Sequence, residues 1–431
     1  MTNINSDIQK LRLDGIYPQN NSGDLMLRIK IPAGVLSSEQ ATKISIISDR
    51  YSNGQLHLTT RGNIELHWLH LDSLSAITSA LDSVGLTTRG ACGGAVRGIS
   101  CNTHLSSDDK AVLSLARRLH RHFSGNPHFE SLPKKFKISV ESSYHGSRHL
   151  IQDVGLVRVG EKHYDVWIAG GLGRQPQEGF LLEKHVTEET LIPRIEAIIR
   201  TYIKHTPAPK RLKFLASTVG KDRLRNLIEH ERIGHPEKFP FSPLDQTNST
   251  GPTAPEVVEH PVFAGALKAS TLHQLATIAA EHADGTLRIT TDQNVSMVPR
   301  NASAWRSAVA CLPPHAPSGA LSDTAAVFRV CPGIHLCRMG LAPTRDIARQ
   351  TMNALGPTGK QLSWAVSGCP NACSQPQLAE AGILTTNLVK EDDGNRTPRY
   401  ALLRRTDESF AHAIAEDLSE ADLIKAVAAL D

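Results

Sequence analysis

Four of the seven cysteines lie in two close pairs. Cys331 and Cys337 enclose five residues, and Cys369 and Cys373 enclose three. Four thiolates spaced in this way can ligate a soft metal centre, which is either a structural zinc ion or an iron–sulfur cluster. Zinc sites commonly use gaps of about two to four residues, so the wider first gap favours a cluster. The remaining cysteines have no partner at such a spacing and are expected to be structural: Cys92, Cys101 and Cys311.

Composition narrows the class of protein. The net charge of +4 comes from 47 basic and 43 acidic residues that are interspersed, without the basic block that tracks a nucleic-acid backbone. The N-terminus is polar, and no apolar stretch reaches the length of a membrane span. An odd number of cysteines in a chain without an export signal favours thiolate chemistry over a disulfide framework. These features predict a soluble, cytoplasmic protein with no nucleic-acid or membrane partner.

The elements that must position these residues follow a repeated pattern. The segment 54–63 (GQLHLTTRGN) matches 285–294 (GTLRITTDQN) at an offset of 231 residues. Farther on, 153–157 (DVGLV) echoes 380–384 (EAGIL) at an offset of 227. Two matches in the same order at nearly one offset predict a duplicated α+β unit. The cleft between two such halves is a natural place for a large cofactor.

Local patterns predict both helices and strands. Ser37 and Gln40 form a capping box at the start of a helix. Leu and Ile occupy every second position over 25–31 and alternate with Met26, Arg28 and Lys30, which predicts a strand with one buried face. The periodicity over 419–430 predicts a helical tail that packs on the second half. Together these patterns indicate a mixed α+β fold.

The cysteine motif and several other segments resemble the sirohaem-dependent sulfite and nitrite reductases. The likeness begins with the two cysteine pairs and covers nearly the whole chain in order. The other matching segments are 15–19 (GIYPQ), 26–32 (MLRIKIP), 58–63 (LTTRGN), 132–137 (LPKKFK), 170–173 (GGLG) and 290–294 (TTDQN). The resemblance implies duplicated ferredoxin-like halves with cofactors in the cleft between them. It also implies a six-electron reduction of sulfite to sulfide, or of nitrite to ammonia.

The same resemblance implies two cofactors and their ligands. A 4Fe-4S cluster is expected on Cys331, Cys337, Cys369 and Cys373, and Cys373 is also expected to bridge to the iron of a sirohaem. Sirohaem has a rim of carboxylates that requires cations. The residues at the matching sirohaem-binding positions are Arg61, Arg211, Lys213, Gly171 in the loop 170–173, Gln293 and Asn294.

A further group of cations is implied for the substrate anion. Arg28, Arg97, Lys135 and Lys137 occupy the family's anion-binding positions. Cations there offset charge as S–O bonds break and donate hydrogen bonds to the departing oxygens. The alternation over 135–140 predicts a strand that places both lysines on one face. Nitrite reductases often carry Asn in place of the second lysine, so Lys137 favours sulfite.

The expected organisation has five parts. They are a first ferredoxin-like half-domain (1–80), a domain that binds sirohaem and the anion (81–235), a linker (236–261), a second ferredoxin-like half-domain (262–312) and a domain that binds the cluster and sirohaem (313–431). The linker is rich in Pro, Ser, Thr and Gly and lacks periodicity.

The electron donor is implied to be a separate protein. The loop 170–173 is not a well-placed G-x-G-x-x-G motif, and no other flavin or nicotinamide fingerprint is present. Electrons are therefore expected from a ferredoxin or from a flavoprotein subunit.

Two alternatives stay open at this point. Precorrin-3B synthase, an oxygen-dependent monooxygenase of cobalamin biosynthesis, resembles the chain in length and cluster spacing and binds a tetrapyrrole as substrate. The Lys-Phe-Lys strand and the Gly-Cys-Pro-Asn-Ala-Cys motif look more like the reductases. The other alternative is a binding protein that is stapled by zinc or by a cluster. The visible spectrum of the purified protein distinguishes all three.

Overall fold

The first structural unit is a small sheet with two helices. The computed structural model describes residues 11–20, 22–102, 109–233, 257–313, 327–392 and 394–430. The elements of the unit are β1 (Ile16–Pro18), β2 (Leu25–Ile29), β3 (Val35–Ser37), α1 (Ser38–Tyr51), β4 (Gln55–Leu58), β5 (Ile64–Leu69) and α2 (Leu74–Asp82). Both hydrogen bonds of the predicted capping box are present, each 3.0 Å long, between Ser37 and Gln40. They fix the start of α1.

The second unit is a five-stranded sheet in the order β10-β9-β8-β7-β6. Its elements are β6 (Ser100–Asn102), α3 (Asp109–Phe123), β7 (Ile138–Glu141), β8 (Val154–Gly160), β9 (His163–Ile168), β10 (Phe180–Thr187), α4 (Leu191–His205), α5 (Leu212–Val219) and α6 (Lys221–Ile233). Strands β6, β7 and β8 are parallel, whereas β9 and β10 are antiparallel to their neighbours. The strand predicted over 135–140 begins only at Ile138, although Phe136, Ile138 and Val140 are all buried, as the alternation predicts.

The third unit repeats the first. Its elements are β11 (Val258–His260), β12 (Ala266–Lys268), α7 (Ala269–His282), β13 (Thr286–Ile289), β14 (Val295–Met297) and α8 (Ala302–Cys311). The bounds of β12, α7 and β13 lie 231 residues after those of β3, α1 and β4, so the predicted duplication is confirmed. Strand β11 pairs with β14 and starts inside the predicted linker 236–261, which therefore ends earlier than expected. The part of that linker up to residue 256 lies outside the described residues.

The first and third units exchange strands. Strand β12 pairs with β4 of the first unit, and β3 pairs with β13 of the third. Buried residues of α1 and α7, such as Ile44 and Leu272, belong to one hydrophobic core. The two ferredoxin-like halves are therefore one packed body, and each completes the sheet of the other.

The fourth unit repeats the second. Its elements are β15 (Phe328–Val330), α9 (Gly333–Leu336), α10 (Thr344–Ala354), β16 (Trp364–Ser367), β17 (Ala381–Lys390), β18 (Arg396–Arg404), β19 (His412–Leu418) and α11 (Glu420–Ala428). Three parallel strands again precede two antiparallel ones. Ser419 caps α11, which confirms the predicted helical tail. Within the described ranges, every helix is too short or too polar to cross a membrane.

Candidate cofactor and anion site

Both cysteine pairs leave the same edge of the fourth sheet. Strand β15 ends immediately before Cys331, and β16 ends at Ser367, two residues before Cys369. Since β15 and β16 are parallel neighbours, their carboxyl ends meet at one edge. The seven cysteines, all within the described residues, are free thiols. The fold thus gathers the four predicted ligands from two adjacent loops.

Backbone N–H groups point at the cysteine sulfurs. The Gly368 N–H donates to Cys331 Sγ at 3.1 Å. A backbone N–H of Met339 acts in the same way on the Cys337 thiol. Hydrogen bonds to sulfur are one means by which a protein tunes an iron–sulfur cluster.

The four thiols also act on one another. Burial raises the pKa of Cys337 to about 11, and Cys373 and Cys369 add to the rise. Burial likewise raises the pKa of Cys331 and of Cys369, with Cys373 contributing to both. No three His, Cys, Asp or Glu side chains in the described ranges converge closely enough for a single metal ion. Ligands of a cluster bind separate irons and stand farther apart, so this soft donor set fits a 4Fe-4S cluster.

The loop that carries Cys373 is held by the first unit. Thr60 Oγ1 donates to the carbonyl oxygen of Cys373 at 2.9 Å, and Gln375 Nε2 donates to the carbonyl of Thr60 at 3.3 Å. Arg329 Nε donates to the carbonyl of Ser374 at 3.2 Å. The predicted bridging cysteine therefore lies where the first and fourth units meet.

Three of the four predicted anion-binding cations form one group of interacting charges. Burial lowers the pKa of Arg97 to about 10, although the Cys92 thiol opposes this effect. Burial, followed by the charge of Arg211, lowers the pKa of Lys135 to about 8. The pKa of Lys137 is lowered by burial and then by Lys135. Partly buried cations that repel one another in this way gain stability when an anion binds among them.

The fourth cation, Arg28, is paired. Its Nε and Nη2 donate to Glu65 Oε1 at 2.8 and 2.5 Å, and its Nη1 donates to the carbonyl of Ala91 at 3.2 Å. Burial is the largest single effect and would lower the pKa of Arg28, but Glu65, Cys92 and Cys373 together outweigh it and raise the pKa. Cys373 acts on the charges of Arg28, Lys135 and Lys137. These cations therefore lie around the predicted bridging cysteine.

The predicted sirohaem cations lie in the same region, where protein groups already hold them. Arg61 Nη1 donates to Gln152 Oε1, and its Nη2 donates to the carbonyl of Gly98, both at 2.9 Å. Arg211 Nη2 donates to Asp153 Oδ2 at 2.6 Å. Lys213 Nζ donates to the carbonyls of Gly171 and Leu172 at 3.2 and 3.1 Å.

The other predicted cofactor contacts have structural roles as well. A Cβ on Gly171 would lie 2.4 Å from Arg211 Nη1, so glycine lets the arginine pass close to the loop. Gln293 Nε2 donates to the carbonyls of Leu58 and Val330 at 2.7 and 3.0 Å. Asn294 Oδ1 accepts from the Val262 N–H, and its Nδ2 donates to Glu259. Both amides are thus engaged within the protein, and their contact with sirohaem stays a prediction.

Sequence reasoning missed the acidic residues of the site. Glu65 faces Arg28 directly across strands β5 and β2. Asp153 Oδ2 accepts from the Lys137 N–H at 2.8 Å and also binds Arg211. Asp153 begins one of the two repeated segments, and this position could have identified it from the sequence as a candidate residue. Glu65 could be found only from the pairing of the strands.

Two family models match the chain. The nitrite/sulfite reductase ferredoxin-like half domain matches residues 17–84 and 257–299, and the nitrite and sulphite reductase 4Fe-4S domain matches 93–237. Together they cover more than half of the chain. This chain belongs to the nitrite and sulphite reductase family. The cluster domain model matches the second unit, whereas the four paired cysteines lie in the fourth unit, which repeats the same sheet.

Curated relatives agree with this assignment. A ferredoxin-type sulfite reductase of Mycolicibacterium paratuberculosis is 25% identical over 413 residues, covering 86% of this chain and 71% of the relative. A ferredoxin–nitrite reductase of Leptolyngbya laminosa is 27% identical over 425 residues, covering 90% and 81%. The solved structure of the Mycobacterium tuberculosis NirA protein matches with a TM-score of 0.80 at 21% identity, covering 97% of this chain and 86% of that one. It supports the duplicated fold.

Family membership also gives the cofactors. This reductase family uses sirohaem and a 4Fe-4S cluster. The soft thiols with their backbone donors and the group of partly buried cations fit these two cofactors. The chain is therefore an oxidoreductase, and the relatives favour a reductase over a precorrin-3B synthase.

Proposed function

We propose that this chain reduces sulfite to sulfide in preference to nitrite, with electrons from a ferredoxin. The observation that carries the proposal is the pair Lys135 and Lys137. The two lysines interact, since the pKa of Lys137 is lowered by burial and then by the charge of Lys135. Two ammonium groups so close together suit an anion that can carry two charges.

Local structure explains why the two lysines converge. Phe136, between them, is fully buried and bridges to Val96, so its neighbours on either side point the opposite way. Sulfite near neutral pH carries up to two negative charges and nitrite carries one. Because attraction scales with the product of charges, a second cation favours sulfite more than nitrite.

The chain's own residues supply charge and protons. When bound, the sirohaem supplies the metal that holds the oxyanion, and the cluster supplies electrons to it. Arg97 and Lys137 offset the negative charge of the anion. Lys135 Nζ can release a proton near neutral pH, because burial lowers its pKa to about 8. Arg61, Arg211 and Lys213 are proposed to face the carboxylates of sirohaem.

The donor is proposed to dock over the loop that carries Cys337. This loop exposes Ile334 and Met339, which are 52% and 56% exposed, and it carries the exposed cation Arg338 between Cys337 and Met339. An apolar centre with a cationic rim suits a small acidic electron carrier, and contact there shortens the path to a cluster ligand. Ferredoxin is the donor named for the related sulfite and nitrite reductases.

The substrate assignment is tested with Lys137→Asn. Both kcat/KM values, for sulfite and for nitrite, are measured in the parent and the variant with reduced methyl viologen as electron donor. The variant is expected to lose sulfite turnover by about tenfold more than nitrite turnover, which corresponds to ~1.4 kcal/mol. Equal losses on both anions, or a parent that clearly prefers nitrite, would defeat the assignment and leave the cofactors in place.

The donor surface is tested separately with Met339→Glu. Turnover with reduced ferredoxin is expected to fall several-fold through a higher KM for ferredoxin, while turnover with methyl viologen is unchanged. Val309→Glu is the matched control, since Val309 is 41% exposed on α8, away from the cysteine loops in the sequence. A similar fall in both variants would contradict the proposed surface.

A further inference from the structure

Glu65 is a buried carboxylate beside the proposed anion-binding cations. It is 6% exposed and lies on β5, the strand between β2 and β4. It is paired with Arg28 on one side and with His57 on the other. A buried carboxylate without a partner is costly, so its position is set by the groups around it.

The contacts of Glu65 divide between its two oxygens. Oε1 accepts both hydrogen bonds of Arg28, whereas Oε2 lies 3.5 Å from His67 Nε2. Burial is the largest single effect and would raise the pKa of Glu65, but the charge of Arg28 and the contributions of His67 and His57 together outweigh it. The pKa is therefore held below its usual range, and Glu65 remains ionised.

Glu65 distinguishes Arg28 from the other cations of the group. Within the described part of the chain, Arg97, Lys135 and Lys137 form no ion pair with a carboxylate. Arg97 instead donates to the carbonyls of Gly90 and Gly93 at 3.1 and 2.9 Å. One cation of the group is thus neutralised, and the other three are not.

The orientation of Arg28 follows from the same contact. Because Nε and Nη2 are both held by Oε1, only Nη1 is directed away from Glu65. Nη1 reaches the carbonyl of Ala91 and lies 3.6 Å from the Cys92 sulfur. Loss of the Glu65 oxygens would free the guanidinium to turn.

We infer that Glu65 is a specificity-determining residue, which sets the net charge of the anion site and holds Arg28 in place. The inference rests on the proposed function in taking the four cations as the anion site. With Glu65 ionised, the site is one charge less positive than its cations alone would make it. Its preference for a dianion over a monoanion is lower than it would be without Glu65.

The test is Glu65→Gln, which keeps an oxygen for Arg28 and removes the charge. Dissociation constants of sulfite and nitrite are measured by calorimetry on the purified holoenzyme, and the thermal midpoint checks the fold. The ratio of the nitrite constant to the sulfite constant is expected to rise by roughly three- to tenfold, because one added charge acts more on a dianion. Glu391→Gln is the matched control, since Glu391 pairs with Arg399 in the β17–β18 hairpin. It should leave the ratio unchanged.

A second comparison avoids dependence on one variant. Arg28→Gln should lower the ratio, and adding Glu65→Gln to it should restore the ratio to within about twofold of the parent, because the pair of changes leaves the net charge unaltered. An unchanged ratio in Glu65→Gln, or no restoration in the double variant, would overturn the inference. A parent that binds nitrite more tightly would instead defeat the proposed substrate, while a rise in Glu65→Gln would still support the role of Glu65.

Discussion

The second and fourth units have the same sheet topology, yet their predicted site residues lie at opposite ends of the strands. Arg97 and Lys137 precede β6 and β7, at the amino ends of parallel strands. Cys331 and Cys369 follow β15 and β16, at the carboxyl ends. The two units therefore share one backbone arrangement. The second unit carries cations at the amino edge of its parallel strands, and the fourth unit carries cysteines at the carboxyl edge.

One hydrogen bond shows how closely the backbones agree. Asp153 accepts from the N–H of Lys137 at 2.8 Å, and Glu380 accepts from the N–H of Ser363 at 2.7 Å. Each acid precedes the third parallel strand of its sheet, and each donor precedes the second. The bond that fixes the backbone is therefore kept in both copies, and only the first copy adds a lysine side chain there.

The turns of the ferredoxin-like halves show the same contrast. Asn63 and Asn294 each accept from a backbone N–H 32 residues earlier, at 3.0 and 2.9 Å. Two residues before each asparagine the turns differ, since the first unit has Arg61 where the third unit has Asp292. Asp292 accepts from Arg148 and Arg329, which closes that turn with a partly buried ion network. Of these two turns, the first carries a cation at this position and the other carries an acid.

The largest expected effect comes from the cysteines of the fourth unit. Cys331→Ser should abolish the cluster, because one of the four iron ligands is lost, and it should destabilise the fourth unit. Iron and acid-labile sulfide are measured on anaerobically purified protein, together with extractable sirohaem. Cys311→Ser, at an exposed thiol, is the control and should keep full iron. A Cys331→Ser protein with four irons and four sulfides would contradict the assignment.

Asp153 and Glu380 accept equivalent backbone hydrogen bonds, but their replacement should change the free energy of unfolding by different amounts. Asp153→Asn removes the partner of buried Arg211, which leaves an uncompensated charge and should cost about 3–5 kcal/mol of unfolding free energy. Glu380→Gln changes an exposed residue and should cost less than about 1 kcal/mol. Chemical denaturation measures both. Equal costs would show that the backbone bond, and not the ion pair, makes Asp153 important.

The two turns can be exchanged at one position. Gln293→Gly should cost about 1–3 kcal/mol, because its amide bonds to Leu58 and Val330 are lost, although glycine relieves the positive φ of 69°. Gly62→Gln is the reverse change. It should also destabilise, since a Cβ there would lie 3.0 Å from Gly34 Cα. A stable Gly62→Gln protein would show that the two turns are interchangeable.

The smallest expected effect is on pH dependence in the second unit. Burial lowers the pKa of Lys135 to about 8, so nitrite binding should weaken roughly three- to tenfold as pH rises from about 7 to 9. Nitrite is used because its own charge is constant in this range. The pKa of Lys135 is lower in the folded state than in the unfolded state. The free energy of unfolding should therefore rise as the pH increases from about 8 to 10.5. Lys135→Arg should remove the pH dependence of binding, and its persistence would assign it elsewhere.

The structural features that could be predicted from the sequence are those that depend on residues close together in the chain. The capping box at Ser37 and the repeated segments of the two halves are such local patterns, and the structure confirms both. The cysteine spacing is also a local pattern, and its cluster ligands stay a prediction. The ion pairs of Glu65 and Asp153 depend on which strands become neighbours. The predicted linker extended to residue 261 and so included β11. This strand is only three residues long and forms by pairing with β14, so its own sequence gives little signal.

The exchange of β3 and β12 has a consequence for the order in which the chain can fold during synthesis. Strand β4 is made early, but its hydrogen-bonding edge is closed only by Ala266–Lys268, which emerge from the ribosome after the entire second unit. Until then the nascent first unit presents an open edge, and unpaired strand edges invite association with other chains. Pairings this distant in sequence also slow folding. The protein is therefore expected to depend on chaperones at an intermediate length, before Lys268 has been made, more than at full length.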